Sequence, residues 1–185
     1  MKKYLYIKNM VCNRCKMAVI NVFDNQNIEL NSIQLGKIVL KDNVEVNYQK
    51  LEKQLNDLGF ELIQDPVKTL IEKIKVKLIE YLENNNGSTI LINLENEIGK
   101  SYTTLSKTFS KNEGITIEKY FINLKIEKAK ELIQMQKLNF SEIAYTLNYK
   151  NSSHLAKQFK QVTGISMTDY KKMQDWNRKP LDKIV

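Results

Sequence analysis

The sequence is poor in the residues that break, staple or activate a chain. It has two prolines, two cysteines and a single histidine. Two cysteines make no disulfide framework of the kind that staples small secreted domains, and a lone close pair points to redox or metal chemistry instead. The one histidine, His154, has no cysteine or serine triad context, and no constellation of base, nucleophile and orienter is visible around it. We therefore expect no enzyme. No apolar run approaches the roughly 20 residues that a bilayer span needs. Lys8 and Asn9 interrupt the start of the chain, so no signal peptide, no membrane association and a cytoplasmic location are expected.

What is present suffices for a packed core. Hydrophobic residues make up 42% of 185, too many for a disordered chain, and the length fits two small domains. The net charge of +8 is unevenly placed. Residues 1–65 hold 9 basic and 8 acidic side chains, whereas residues 66–185 hold 20 and 13. A basic domain beside a near-neutral one suggests a polyanionic partner for the basic one. A lysine-rich solvated surface would give the same balance, so charge alone does not decide.

Asp65-Pro66 reads as the domain junction, because proline disfavours helix just before it and suits a first helical turn. Before it, Tyr4–Ile7 reads as a strand, and Cys15–Asn25 as a helix with Met17, Ala18, Val22 and Phe23 at apolar positions. Ser32–Leu35 and Lys37–Leu40 form a hairpin about Gly36. Leu51, Leu55 and Leu58 recur at helical spacing up to Gly59, and Glu61–Gln64 is a last strand. The order is βαββαβ, a ferredoxin-like pattern. Beyond the junction the text is all helix. Val67, Leu70, Ile71, Ile74, Leu78 and Leu82 make one stripe that stops at 84–87. Further helices fit Ile90–Ile98, Tyr102–Asn112, Ile117–Gln136, Ser141–Leu147, Ser152–Val162 and Met167–Met173. The expected fold class is thus α+β: a ferredoxin-like domain (1–65), a connecting amphipathic helix (66–87), an all-α domain (88–175) and a basic tail (176–185).

The helical part contains a repeat. At an offset of 50, Leu105, Lys107 and Phe109 meet Leu155, Lys157 and Phe159, and Gly114, Ile115 and Tyr120 meet Gly164, Ile165 and Tyr170. Upstream the offset is 49, where Leu94 and Ile98 meet Ile143 and Leu147, so the second turn is one residue longer. Each copy is a short helix, a turn at Gly99 or Asn148, and a second helix. Leu105 and Phe109, like Leu155 and Phe159, lie four apart and should face inward. The opposite face is small, polar and basic, as a helix entering the major groove requires. Serine or asparagine at each helix start can cap it and leave amide donors facing phosphate.

Residues 85–173 resemble the AraC/XylS-type DNA-binding domain, in which a long helix joins two helix-turn-helix units. The resemblance is carried by Lys125-Ile126, Ala129, Leu132-Ile133, Phe140-Ser-Glu142-Ile143-Ala144, Leu147-Asn148-Tyr149, Ser152 to Lys160, Gly164, Ser166 and Tyr170-Lys171. Asn148 stands in place of the usual turn glycine and Met167 in place of the usual proline. The resemblance implies base contacts at Thr103, Ser106 and Lys107 in one unit and at Ser152, Ser153, His154 and Lys157 in the other. Lys100, Lys111, Lys150 and Lys160 suit phosphates, which position a protein without reading sequence. Partners implied are double-stranded DNA and RNA polymerase, in a transcription regulator.

Met10-Val-Cys12-Asn-Arg14-Cys15 resembles the M-x-C-x-x-C loop of heavy-metal-associated domains, with Asn9 where those have glycine. Two thiolates at this spacing can converge on Cu(I) or another soft ion, and the helix start, Arg14 and Lys16 favour thiolate. The pair could equally be idle thiols on a scaffold that serves homodimerisation. Two other functions would use the cysteine pair: a Cu(I)-carrier-like, metal-handling protein whose helical half docks a protein partner, and a thiol enzyme. Neither requires a tandem repeat with matched lysines.

Overall fold

The computed structural model describes residues 4–83, 90–173, 178–179 and 181–184, with backbone alone at 90–92 and 182. It is mixed α+β and divides into two compact units, residues 1–76 and 77–185. The proposed end of the long amphipathic helix at 84–87, and Trp176, Asn177, Pro180 and Val185 of the tail, lie outside the described residues.

In the first unit β1 (Tyr4–Lys8), α1 (Asn13–Asp24), β2 (Leu30–Gln34), β3 (Lys37–Leu40), α2 (Tyr48–Asp57) and β4 (Glu61–Ile63) follow in the expected order. They form one antiparallel sheet, β2-β3-β1-β4. Leu5 and Ile7 project from one face of β1 into a core with Val19, Val22, Phe23, Leu51 and Leu55, the period-2 alternation of a strand with one buried face. Gly36 closes the β2–β3 turn at φ +66°, where a side chain would press on Val76.

Two apolar residues assigned to this core lie outside it. Met17 is 67% exposed. Cys15, Val19, Val22 and Phe23 set the inward face of α1, and Met17, two residues beyond Cys15, falls on the far side of a 3.6-residue turn. Leu58 follows the end of α2 and is 53% exposed.

Asp65 accepts hydrogen bonds from the N–H groups of Val67 (2.6 Å) and Lys68 (2.9 Å). It thereby caps α3 (Pro66–Glu83), in which proline takes the first helical position. Val67 is exposed, while Ile71, Ile74, Val76, Leu78, Ile79, Tyr81 and Leu82 are buried. The apolar face of α3 is thus wider than the single stripe expected and starts a turn later.

The second unit holds α4 (Ile90–Ile98), α5 (Tyr102–Glu113), α6 (Ile117–Met135), α7 (Phe140–Thr146), α8 (Ser152–Thr163), α9 (Met167–Lys172) and a 3-10 turn, Leu181–Lys183. Lys77 pairs with Glu97 at 2.8 Å, and Tyr81 donates to the same carboxylate at 2.8 Å. The carboxylate of Glu97 is held below its usual range chiefly by the Lys77 hydrogen bond. Asn139 and Glu142 form a reciprocal capping box that starts α7.

Candidate nucleic-acid interface

Each copy of the repeat builds the same local scaffold. Ser101 Oγ accepts from the Thr104 N–H at the start of α5, and Asn151 Oδ1 accepts from the His154 N–H at the start of α8. Both helices are 12 residues long, and each is stopped by a left-handed glycine, Gly114 (φ +72°) or Gly164 (φ +82°). Thr116 and Ser166 then cap the next helix. Leu105, Phe109, Leu155 and Phe159 are wholly buried. Phe109 meets Tyr120 edge-on with centroids 5.5 Å apart at 65°, and Phe159 meets Tyr170 at 5.4 Å and 65°. Helix α6 carries Tyr120, Phe121, Leu124, Ile126, Ala129 and Ile133 into the core and joins the two copies of the repeat in sequence. Asn148 takes φ +57° in the second turn, matching Gly99 at +72°, so the left-handed geometry survives without glycine.

Burial of one face fixes what the other presents. On α5, Thr103, Lys107 and Lys111 are exposed at i, i+4 and i+8; on α8, Ser153, Lys157 and Lys160 are exposed. These positions share one side of each helix. Ser106 and Ser152 are half-buried. Lys100 and Lys150 are exposed in the turns just before the caps. His154 is exposed too, but its ring rests edge-on against buried Tyr149 at 5.4 Å. The structure thus gathers the proposed base-facing and phosphate-facing residues onto α5, α8 and their flanking turns.

Several contacts at this site have no periodic signature in the sequence. Tyr102 donates to Glu118 and ties α5 to α6. Burial first, and then that carboxylate, raise the Tyr102 phenol well above its ordinary range. Lys125 of α6 lies over the rings of Phe121 and Tyr149, and Tyr149 donates to Gln158 at 2.5 Å. Of the tail, Arg178 pairs with Glu131 at 3.2 Å, and the Lys179 N–H bonds buried Glu127 at 2.9 Å.

In the first unit, Cys12 Sγ and Cys15 Sγ lie 3.3 Å apart at the start of α1, both half-buried. Burial pushes the Cys12 thiol up. Hydrogen bonds from the Cys15 N–H and thiol and the Arg14 N–H, with the Arg14 charge, outweigh it and hold Cys12 below its ordinary value. Cys15 is raised, first by burial. Asn9 adopts φ +70°, donates its amide to the Gly59 carbonyl at 2.9 Å and its N–H to Glu72 at 3.2 Å. It thus takes up the left-handed backbone that glycine would supply. Among the described residues no group of three or more His, Cys, Asp or Glu converges on one point, and no helix is long and apolar enough to cross a membrane.

Comparison with known proteins agrees with this geometry. Residues 94–173 match the family described as Helix-turn-helix domain. The chain is similar to the Msm operon regulatory protein of Streptococcus mutans, 23% identical over 94 residues, which are 50% of this chain and 34% of that protein. An uncharacterized HTH-type transcriptional regulator in the cgkA 5' region of Pseudoalteromonas carrageenovora is 31% identical over 93 residues, 50% of this chain and 55% of that protein. The chain thus spans a third to about half of these relatives. Among solved structures, the C-terminal domain of AraT, a response regulator from Geobacillus stearothermophilus, shares the fold at TM-score 0.51 and 20% identity, covering 61% of this chain and 92% of that one. CdpR, a transcriptional regulator from Pseudomonas aeruginosa, does so at 0.50 and 17%, covering 86% and 63%. Residues 94–173 are a helix-turn-helix DNA-binding domain.

Proposed function

We propose that the chain is a sequence-specific transcription regulator that places α5 and α8 in successive major grooves of one duplex. The observation that carries this reading is the pair of equal helices, each with a buried Leu/Phe face and an exposed Ser/Thr/Lys face, joined by α6. Two such helices read half-sites about 34 Å apart, one turn of DNA. Thr103, Ser106 and Lys107 contact bases in one groove, and Ser152, Ser153, His154 and Lys157 in the next. Lys100, Lys111, Lys150 and Lys160 meet phosphates. Selection from random duplex DNA tests the reading: it should recover two short conserved blocks about ten base pairs apart, with affinity falling steeply as salt rises. Recovery of no common sequence would sink it.

The strand order and the packing of α1 and α2 on Leu5 and Ile7 support a ferredoxin-like assignment for residues 1–65. In this reading residues 66–87 connect that domain to the reader. Cys12 and Cys15 fit a soft monovalent ion, because their thiols converge, one is acidified, and Cu(I) accepts two sulfur ligands. A thiol whose pKa is lowered becomes nucleophilic at lower pH. Alkylation should therefore reach Cys12 first as pH rises, and Cu(I) should protect both. Equal rates at the two thiols, or no protection, would count against the assignment. Coupling of that site to DNA, homodimer contacts through residues 1–65 and contact with RNA polymerase extend the proposal. Cys12→Ser and Cys15→Ser, with sedimentation and transcription assays, test them.

A further inference from the structure

Tyr149 is the residue that disturbs the spacing of the repeat. Gly99 and Asn148 are 49 positions apart, whereas Lys100 and Lys150 are 50 apart, and the residue gained between them is Tyr149. That added side chain is 9% exposed. Lys125 of α6 sets its ammonium 4.9 Å from the Tyr149 ring centroid and 5.0 Å from that of Phe121. Among the described residues Lys125 makes no ion pair, unlike its neighbours Lys128 and Lys130, which pair with Glu131 and Glu127. The faces of two aromatic rings thus take the place of a carboxylate. Burial lowers the pKa of this ammonium.

Tyr149 also holds α8 twice. Its hydroxyl donates to Gln158 at 2.5 Å, and its ring receives the His154 imidazole edge-on at 5.4 Å and 83°. His154 and Gln158 are four residues apart and share one helical face. A continuous chain therefore runs from Phe121 and Lys125 on the linking helix, through Tyr149, to the first two turns of α8. The first unit has no equivalent residue, because Lys100 directly follows Gly99. There α5 is tied to α6 by the Tyr102–Glu118 hydrogen bond.

We propose that Lys125 and Tyr149 are positioning residues that preset the angle of His154 on α8, and so govern how the second half-site, but not the first, is read. This rests on the DNA-reading function proposed above. A double-mutant cycle on the full chain tests it, since such a cycle isolates the coupling between two residues. The probe is a duplex that the wild type recovers from a random pool. Lys125→Met keeps the stem and removes the charge; Lys125→Arg keeps a cation able to lie on both rings.

His154→Ala should weaken wild-type binding by about tenfold and binding by Lys125→Met by under about threefold, as expected when the brace is already lost. Lys125→Arg should restore the wild-type response. Footprints should change over the second half-site only, with the thermal unfolding midpoint of Lys125→Met near that of the wild type. Additive losses, equal weakening at both half-sites, or Lys125→Arg behaving like Lys125→Met would overturn the proposal while leaving DNA reading intact. If the wild type recovers no common sequence, both readings fall. If Lys125→Met does not fold, Tyr149→Leu gives the second arm, with the same loss of coupling expected and the same additive result overturning it.

Discussion

In the first helix-turn-helix unit Leu105 and Phe109 are sealed from solvent and Phe109 leans on Tyr120; in the second, Leu155 and Phe159 are sealed and Phe159 leans on Tyr170. The centroid distances differ by 0.1 Å and the interplanar angles are equal. The ties to the linking helix differ entirely: a phenol–carboxylate hydrogen bond in one, a lysine between two rings in the other. Close packing tolerates few changes, so the buried half of each unit is constrained to one solution. The periphery has several solutions of similar energy, and there the copies have diverged.

This contrast can be broken or sharpened by experiment. The largest effect belongs to the core. Phe109→Ala and Phe159→Ala should each cost about 3–5 kcal/mol in denaturant unfolding, and markedly unequal losses would show that the two packings are not equivalent. Next come the outward lysines. Lys107→Ala and Lys157→Ala should each weaken binding to a selected duplex by about 1–3 kcal/mol, at different half-sites. Lys179→Ala should do less, since Lys179 bonds Glu127 through its backbone N–H.

Smaller again are the helix stops. An added Cβ at Gly114 or Gly164 would meet nothing within 4 Å, so alanine there strains only the left-handed backbone, at about 1–2 kcal/mol. The smallest effect is at the caps, typically about 1 kcal/mol. Asn151→Ala should exceed Ser101→Ala, because the Asn151 bond is 2.8 Å and the Ser101 bond 3.4 Å. Thermal melts of the single variants would rank them, and the reverse order would remove this difference between the copies.

The buried half was legible in the sequence because burial imposes a period. The repeat offset located Leu105, Phe109, Leu155 and Phe159. Met17, Leu58 and Val67 misled because an apolar side chain at a helix end or on its far side costs little, and such residues are common on surfaces. The Lys125–Tyr149 contact joins residues 24 positions apart with no spacing rule to announce it. Glu127 is satisfied in part by the backbone of Lys179, and a main-chain donor leaves no mark on residue identity. On the reading faces, exposure and charge are legible in sequence, whereas the support of His154 by Tyr149 is not.

The place of the additional residue has a consequence for how such a domain can be altered. A residue inserted within a helix swings everything beyond it by about 100° and advances it by 1.5 Å, which would turn the exposed Ser153, Lys157 and Lys160 side of α8 away. Inserted in a turn, it is absorbed by a few backbone dihedrals, and the helix beyond keeps its azimuth. The second unit could therefore acquire a whole aromatic group without re-aiming its serines and lysines. By the same reasoning, the short connection at Lys100 is where the first unit would accept a new side chain with least disturbance.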